Sequence, residues 1–229
     1  MPATSHSAPS SLSPLPLRAM EGVRVLDFSH VIAGPFATFH LAQMGAEVLK
    51  VEKPGGGDVM RRSASGARAF TALNAGKHSR EIDITTAAGR AEVLEIARGC
   101  DVVVDNYRPG VLERHGLGFA AVRAMNPRIV YCAISGYGYS DPARTGQGAY
   151  DHVVQALTGM TMLAGNEGDP PVKTGFPVID SATGLVGALA IVSALRQREL
   201  PGGGGCFLDI SMWRSALQVM SPFACETLA

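Results

Sequence analysis

The sequence has few cysteines, and none is arranged as a disulfide framework or metal site would require. The four cysteines, Cys100, Cys132, Cys206 and Cys225, are widely separated, without a CxxC pair and without histidine at metal-ligand spacing. This pattern argues against both a disulfide-stabilised fold and a zinc site. We therefore expect a reducing, cytoplasmic environment.

The sequence also lacks an excess of charge and a long apolar run. Lysine plus arginine number 20, as do aspartate plus glutamate, so no global field favours nucleic acid or an anionic membrane. The longest apolar run, Leu185 to Leu195, is shorter than the roughly 20 residues that cross a bilayer. It predicts a buried helix of a soluble protein.

Common catalytic and nucleotide-binding motifs are missing. No GxGxxG follows the first predicted strand, and GxxxxGK[ST], GxSxG and HExxH do not occur. The usual dinucleotide-binding, nucleotide-binding, serine hydrolase and zinc protease interpretations thereby lose support.

Apolar runs alternate with stretches of helical spacing along most of the chain. The 229 residues, 46% of them hydrophobic, suit one large α/β domain. Residues 1–19 are rich in Ser, Pro and Ala and predict a disordered leader, which leaves 20–229 as the domain. Strands are predicted at 23–28, 46–51, 100–105, 128–134 and 207–210, and helices at 37–44, 86–98, 119–125, 150–157, 180–198 and 212–229. Alternation of this kind predicts a Rossmann-like open parallel sheet with helices on both faces.

Asp180 lies at the start of the predicted helix 180–198, shortly before its apolar run. In that place a carboxylate is a standard helix N-cap, and the N-terminus of a helix stabilises its ionised form. An ionised carboxylate beside glycine-containing loops is also what nucleophilic attack on a thioester requires. The structural and the chemical role are compatible.

The segment Asn106 to Gly110 follows a predicted buried strand, so its side chains should lie at the carboxyl edge of the sheet. There Arg108 could bind phosphate groups. An ordinary turn with a solvated arginine is the alternative.

Several strings together resemble family III CoA transferases of the CaiB/BaiF type. The similarity begins with EGVRVLDF at 21–28, AGP at 33–35 and MGAEVLKVE at 44–52. It continues through LNAGK at 73–77, DNYRPG at 105–110, NPR at 126–128, SGYG at 135–138 and the segment that contains Asp180.

This resemblance implies an enzyme that moves CoA from an acyl-CoA to a carboxylic acid, with Asp180 as the covalent nucleophile and without a metal or redox cofactor. Tyr150 and Asp151 would contact the substrate. The implied CoA contacts are Ile32, Ala33, Ile82, Asp83, Ile84, Thr85, Asn106, Tyr107, Arg108 and Arg114.

Two other functions remain open within the resemblance. Racemases of the family carry a histidine at the position of Tyr150, whose phenol is not a ready base near neutral pH, and His152 should face elsewhere on the helix. Members of the family are longer, with a small second domain, a C-terminal return and an interlocked homodimer. We expect this chain to lack those parts, which leaves a non-catalytic CoA-binding fragment as the second alternative. Formyl-CoA:oxalate transferases carry glutamine where this chain has Ile32, which argues against formyl or oxalyl specificity.

Overall fold

The computed structural model describes residues 18–228 apart from 65, 142 and 167, and for residues 224–228 it describes the backbone alone. The predicted leader lies outside the described residues except for Arg18 and Ala19. The carbonyl oxygen of Arg18 accepts the backbone N–H of Glu21 at 3.1 Å, in a turn that leads into the first strand.

Six parallel strands form one sheet in the described chain, in the order β3-β2-β1-β4-β5-β6. The central strands β4 and β5 are buried along their whole length, as their continuous apolar sequences predict. The parallel sheet predicted from the sequence is therefore confirmed. The strands are β1 Arg24–Asp27, β2 Glu47–Glu52, β3 His78–Glu81, β4 Val102–Asp105, β5 Val130–Ser135 and β6 Cys206–Ser211.

Helices cover both faces of the sheet, as predicted. One hydrophobic core joins the sheet to α1 and α7 through residues such as Leu41 and Ile191. A second core on the opposite face includes Val93 of α3 and Val122 of α5. The helices are α1 Ala33–Gln43, α2 Gly66–Leu73, α3 Ala87–Arg98, α4 Val111–Arg114, α5 Phe119–Met125, α6 Asp151–Leu157, α7 Val178–Arg198 and α8 Met212–Leu228.

Helix α1 begins four residues before the predicted start at Ala37. Pro35 falls in the first turn, where the missing N–H of proline costs nothing. Gly34 allows the helix to start beside the preceding loop, because a Cβ there would lie 2.3 Å from the Cβ of Ser29. The Gly34-Pro35 pair, which lies before the predicted helix 37–44, is therefore part of the helix.

Helix α7 is the one described helix that is long and apolar enough, by length and composition, to cross a membrane. Core helices of soluble proteins pass the same test, so the observation is weak evidence for a span. The helix packs closely on α1, since a Cβ at Gly184 would lie 2.8 Å from the carbonyl oxygen of Ala33. It is not wholly buried as predicted, because Leu189 is 69% exposed on its other side.

Candidate functional site

A cavity of about 380 Å³ lies beside the loops that follow β1, β4 and β5, and it contains most of the predicted site residues. The carboxyl ends of parallel strands share one edge of a sheet, which is where open α/β folds bind ligands. The predicted residues that line the cavity are Ile32, Ala33, Asn106, Tyr107, Arg108, Tyr150 and Asp180. Four segments distant in sequence therefore meet around one space.

Asp180 is the third residue of α7, and Pro177 is the residue at the N-cap. The prediction that Asp180 caps the helix is therefore wrong. The capping carboxylate comes from Asp151, the first residue of α6, whose Oδ2 accepts the backbone N–H groups of Ile179 at 2.7 Å and Asp180 at 2.9 Å. Local sequence could not reveal this cap because donor and acceptor are 28 and 29 residues apart.

Asp151 is itself fixed by the buried side chain of Gln155. The Nε2 of Gln155 donates to Oδ1 of Asp151 and also to Oγ1 of Thr174, the latter at 2.8 Å. The Oε1 of Gln155 accepts the backbone N–H of Thr174 at 3.0 Å. This network joins α6, the loop before α7 and the first turn of α7, so it fixes the backbone that carries Asp180.

The pKa of Asp180 is raised to about 7, first because the carboxyl is partly buried and second because of the negative charge of Asp151. A helix N-terminus favours the ionised form of a carboxyl, but burial and the neighbouring carboxylate outweigh that effect on the pKa of Asp180. Protonated and ionised forms of Asp180 are thus both populated near neutral pH. A carboxylate poised in this way is typical of a reactive site.

The loop between β1 and α1 is joined to the segment after β4 by Asn106. The backbone N–H of His30 donates to Oδ1 of Asn106 at 2.9 Å, and Nδ2 of Asn106 donates to the carbonyl oxygen of His30 at 2.7 Å. The rings of His30 and Tyr107 lie 5.0 Å apart. Asn106 therefore shapes the cavity wall and does more than form a simple turn.

The chain from Met20 onward matches one protein family. The model of CoA-transferase family III matches residues 20–229. The chain belongs to CoA-transferase family III. The resemblance noted in the sequence is thereby confirmed.

Curated relatives of this family III chain carry transferase names. The chain is 38% identical to succinyl-CoA:glutarate CoA-transferase of Mus musculus, over 93% of this chain and 49% of the relative. It is 39% identical to formyl-CoA:oxalate CoA-transferase of Rhodopseudomonas palustris, over 82% of this chain and 45% of the relative. The chain thus spans about half the length of these relatives.

Solved structures agree with this assignment. A CaiB/BaiF family protein from Brucella suis is 32% identical with a TM-score of 0.87, over 91% of this chain and 57% of the other. A protein from Mycobacterium tuberculosis is 34% identical with a TM-score of 0.87, over 94% and 61%. The family III fold therefore accounts for the open parallel sheet.

The remaining predicted residues of this family III chain do not line the cavity, although Asp151 contacts the backbone of Asp180. Ile82 is 4% exposed and belongs to the second hydrophobic core. The side chain of Asp83 accepts hydrogen bonds from Thr85, in the turn before α3. The others outside the lining are Ile84, Thr85, Arg114 and Asp151. Their contacts with CoA or substrate stay a prediction.

Tyr150 is the residue immediately before α6, and it is 67% exposed at the cavity. The ring of His152 lies parallel to the ring of Tyr150, with centroids 6.0 Å apart. His152 does not line the cavity. The histidine is therefore close to Tyr150 in space without reaching the cavity that holds Asp180.

Sequence reasoning missed a group of buried charges behind the β1–α1 loop. Lys77 Nζ lies 3.3 Å from Oδ2 of Asp27, and Lys50 Nζ lies 3.3 Å from Oδ2 of Asp58. The available signal was a lysine in the otherwise apolar centre of the strand EVLKVE. A lysine in such a place is buried only when it is paired.

Proposed function

We propose that this chain forms the CoA-binding and acyl-transferring part of a CoA transferase that exchanges CoA between an acyl-CoA and a carboxylic acid. The observation that carries the proposal is the position of Asp180 in one cavity with the Ile32–Ala33 and Asn106–Arg108 segments. These segments are the ones for which the family resemblance implies CoA contacts. A carboxylate beside a CoA-binding wall is the minimum that the reaction requires.

The proposed reaction has two covalent stages. The Asp180 carboxylate attacks the thioester carbonyl of the donor, which breaks the carbon–sulfur bond and gives an acyl-aspartyl anhydride and CoA thiolate. The thiolate then attacks the aspartyl carbonyl, releases the donor acid and leaves CoA as an aspartyl thioester. An acceptor carboxylate runs the same steps in reverse to leave as its CoA ester. The relay divides one difficult exchange into easier steps.

The surroundings of Asp180 suit this cycle. A pKa of about 7 leaves enough of Asp180 ionised for attack at neutral pH. The partial burial of this side chain also weakens the solvation of the attacking carboxylate. Ile32 and Ala33 stand at the N-terminus of α1, where backbone N–H groups lack intrahelical partners and can stabilise an oxyanion. The route needs no metal or redox group because each step only transfers an acyl group.

The acids are proposed from the names of the relatives and from the residue at position 32. The named relatives use succinyl-CoA with glutarate or mesaconate, or formyl-CoA with oxalate. Three of these five acids, glutarate, mesaconate and the succinyl donor, are four- or five-carbon dicarboxylates, and Ile32 argues against the smallest pair. We therefore propose a dicarboxylate of that size as acceptor.

The direct test is to trap the covalent intermediate. The chain is incubated with succinyl-CoA, quenched with hydroxylamine and mapped by peptide mass spectrometry. We expect an aspartyl hydroxamate at Asp180 in the native chain and none in Asp180→Asn. Asp169→Asn is the matched control, because Asp169 is an exposed aspartate outside the cavity whose carboxylate accepts hydrogen bonds from Asn166.

Other outcomes separate the alternatives. CoA binding by calorimetry without any trapped aspartate would support a non-catalytic CoA-binding chain. Deuterium uptake at the α-carbon of a 2-methylacyl-CoA, lost in Asp180→Asn, would support racemase chemistry instead. Covalent capture of the acyl group or of CoA by the protein, detected as a trapped hydroxamate, should be absent in Asp180→Asn. If this capture persists in Asp180→Asn, the proposed mechanism is wrong.

A further inference from the structure

Val31, in the loop that lines the cavity, has a backbone conformation that valine avoids. Its φ is +66°, and it is the one residue other than glycine with positive φ in the described part of the chain. A β-branched side chain is especially unfavourable in this left-handed region. Something outside the residue must therefore hold it there, and strained backbone of this kind is concentrated at functional sites.

Asp58 supplies the contact that holds Val31. The backbone N–H of Val31 points at the Asp58 carboxylate, 3.2 Å from Oδ2 and 3.4 Å from Oδ1. Asp58 is buried and is itself fixed, because its own N–H donates to Oε2 of Glu52 at 2.9 Å and its Oδ1 accepts the N–H of Met60 at 3.0 Å. The carboxylate is thus a fixed acceptor that lies 27 residues from Val31 in sequence but in hydrogen-bond contact with it.

Lys50 completes the support. It is 1% exposed, its Nζ lies 3.3 Å from Oδ2 of Asp58, and it also donates to the carbonyl oxygen of Ser29. One ammonium group therefore balances the charge of Asp58 and holds the loop two residues before Val31. The other charged or titratable groups around the pair are Asp27, His30, Glu52, Arg61, Lys77 and Tyr107.

We propose that the buried Lys50–Asp58 pair is a positioning unit for the cavity, which holds Val31 in its left-handed conformation and thereby sets the path of the loop from His30 to Ala33. All four residues of that loop line the cavity that contains Asp180. Lys50 and Asp58 do not line this cavity, although they line a smaller neighbouring pocket that shares His30 and Tyr107 with it. Their proposed effect on a ligand in the main cavity is therefore exerted through the loop. The proposed effect on acyl capture rests on the proposed function, whereas the effect on the loop does not.

The test compares variants of the pair with and without a change at Val31. Asp58→Asn keeps the shape but removes the ion-pair partner of Lys50, whereas Lys50→Met with Asp58→Leu removes both members so that neither charge of the pair is left unbalanced. Val31→Gly is added to each, because glycine adopts positive φ without steric cost. Glu92→Gln is the control, since it breaks the partly exposed ion pair between Arg80 and Glu92 away from the loop.

Three measurements are made on each folded variant: hydrogen exchange of the Val31 amide by NMR without ligand, affinity for CoA by calorimetry, and the single-turnover rate of hydroxylamine-trapped capture from succinyl-CoA. In the charge-free double variant we expect Val31 exchange to become about tenfold faster or more. We expect capture to slow by a similar factor, since small displacements of a positioning loop have large effects on rate. Val31→Gly should restore most of the capture rate, and Glu92→Gln should match the native chain.

Rescue by glycine distinguishes positioning from general destabilisation, which a more flexible residue would not repair. A folded double variant with native Val31 exchange would overturn the proposal, and so would slowed capture that Val31→Gly leaves unchanged. If the native chain captures no acyl group, the proposed function fails. The exchange measurement then decides the positioning role by itself.

Discussion

Asp27 and Asp180 are two carboxyl groups that the same fold removes from water, yet their pKa values move in opposite directions. Asp27, at the end of β1, is 0% exposed, and Asp180 is only partly buried. Burial raises the pKa of both groups, but the pKa of Asp27 is nevertheless lowered whereas that of Asp180 rises to about 7. The more deeply buried carboxyl is the one that stays ionised.

The difference lies in the neighbours. Lys77 and Lys50, with hydrogen bonds from Ser29 and Thr38, outweigh the desolvation of Asp27. Asp180 meets the negative charge of Asp151 instead. The comparison shows that the same fold holds one carboxyl, Asp27, ionised through neighbouring cations, and leaves another, Asp180, able to gain or lose its proton near neutral pH.

Removing the charge of Asp27 should produce the largest effect. Asp27→Asn leaves Lys77 buried beside a neutral amide, and breaking one side of a buried pair costs about 3 to 5 kcal/mol. We expect the free energy of unfolding, measured in urea, to fall by about this amount. Capture at Asp180 should persist in whatever fraction stays folded.

The matched control removes both partners. Asp27→Leu with Lys77→Met takes away the uncompensated charge, so it should recover a large part of the loss of Asp27→Asn. If the double variant is as unstable as the single one, charge balance is not what secures this region. The comparison with Asp180 would then lose its physical basis.

Neutralising Asp180 should raise the free energy of unfolding, which is the opposite of the effect expected for Asp27→Asn. The folded pKa of about 7 lies above the ordinary value of 3.8, so the native state holds this proton more tightly than the unfolded state. The contribution of Asp180 to stability is therefore complete below about pH 4 and is lost as the pH rises through 7. Asp180→Asn should be about 1 to 2 kcal/mol more stable than the native chain at pH 8, after discounting for partial exposure, with little difference at pH 4.

The measurement is urea unfolding of both chains at pH 4, 6 and 8. Asp105 also has a pKa raised to about 7, by burial, but it is present in both chains and cancels in the difference. A difference that does not grow between pH 4 and 8 would contradict the assigned pKa of Asp180.

The sequence predicted the sheet well because its central strands are buried on both faces. The runs in β4 and β5 are apolar throughout, and this is the strongest signal that a parallel sheet leaves in a sequence. Strand β3 was missed because HSRE is exposed and polar at the edge of the sheet. Only pairing with β2 makes it a strand.

The site was predicted in part. Asp180 and the cavity-lining loops followed from the family resemblance, whereas the cap from Asp151 and the hold of Asp58 on Val31 depend on contacts across 29 and 27 residues. Side-chain bonds at such separations leave no periodic pattern. They become visible only when the fold brings the segments together.

The smallest effect is expected for Asp151→Asn, which separates the two causes of the raised pKa of Asp180. Asp151→Asn keeps one acceptor for the first N–H groups of α7 but removes the negative charge, so we expect a loss of about 1 kcal/mol in unfolding free energy. Loss of that charge should also lower the pKa of Asp180, since the repulsion from Asp151 contributes to raising it. The pH profile of acyl capture should consequently shift to lower pH, while the profile of the exposed Asp169→Asn control stays in place. An unshifted profile in folded Asp151→Asn would mean that burial alone raises the pKa of Asp180, and that its contrast with Asp27 depends only on the lysines.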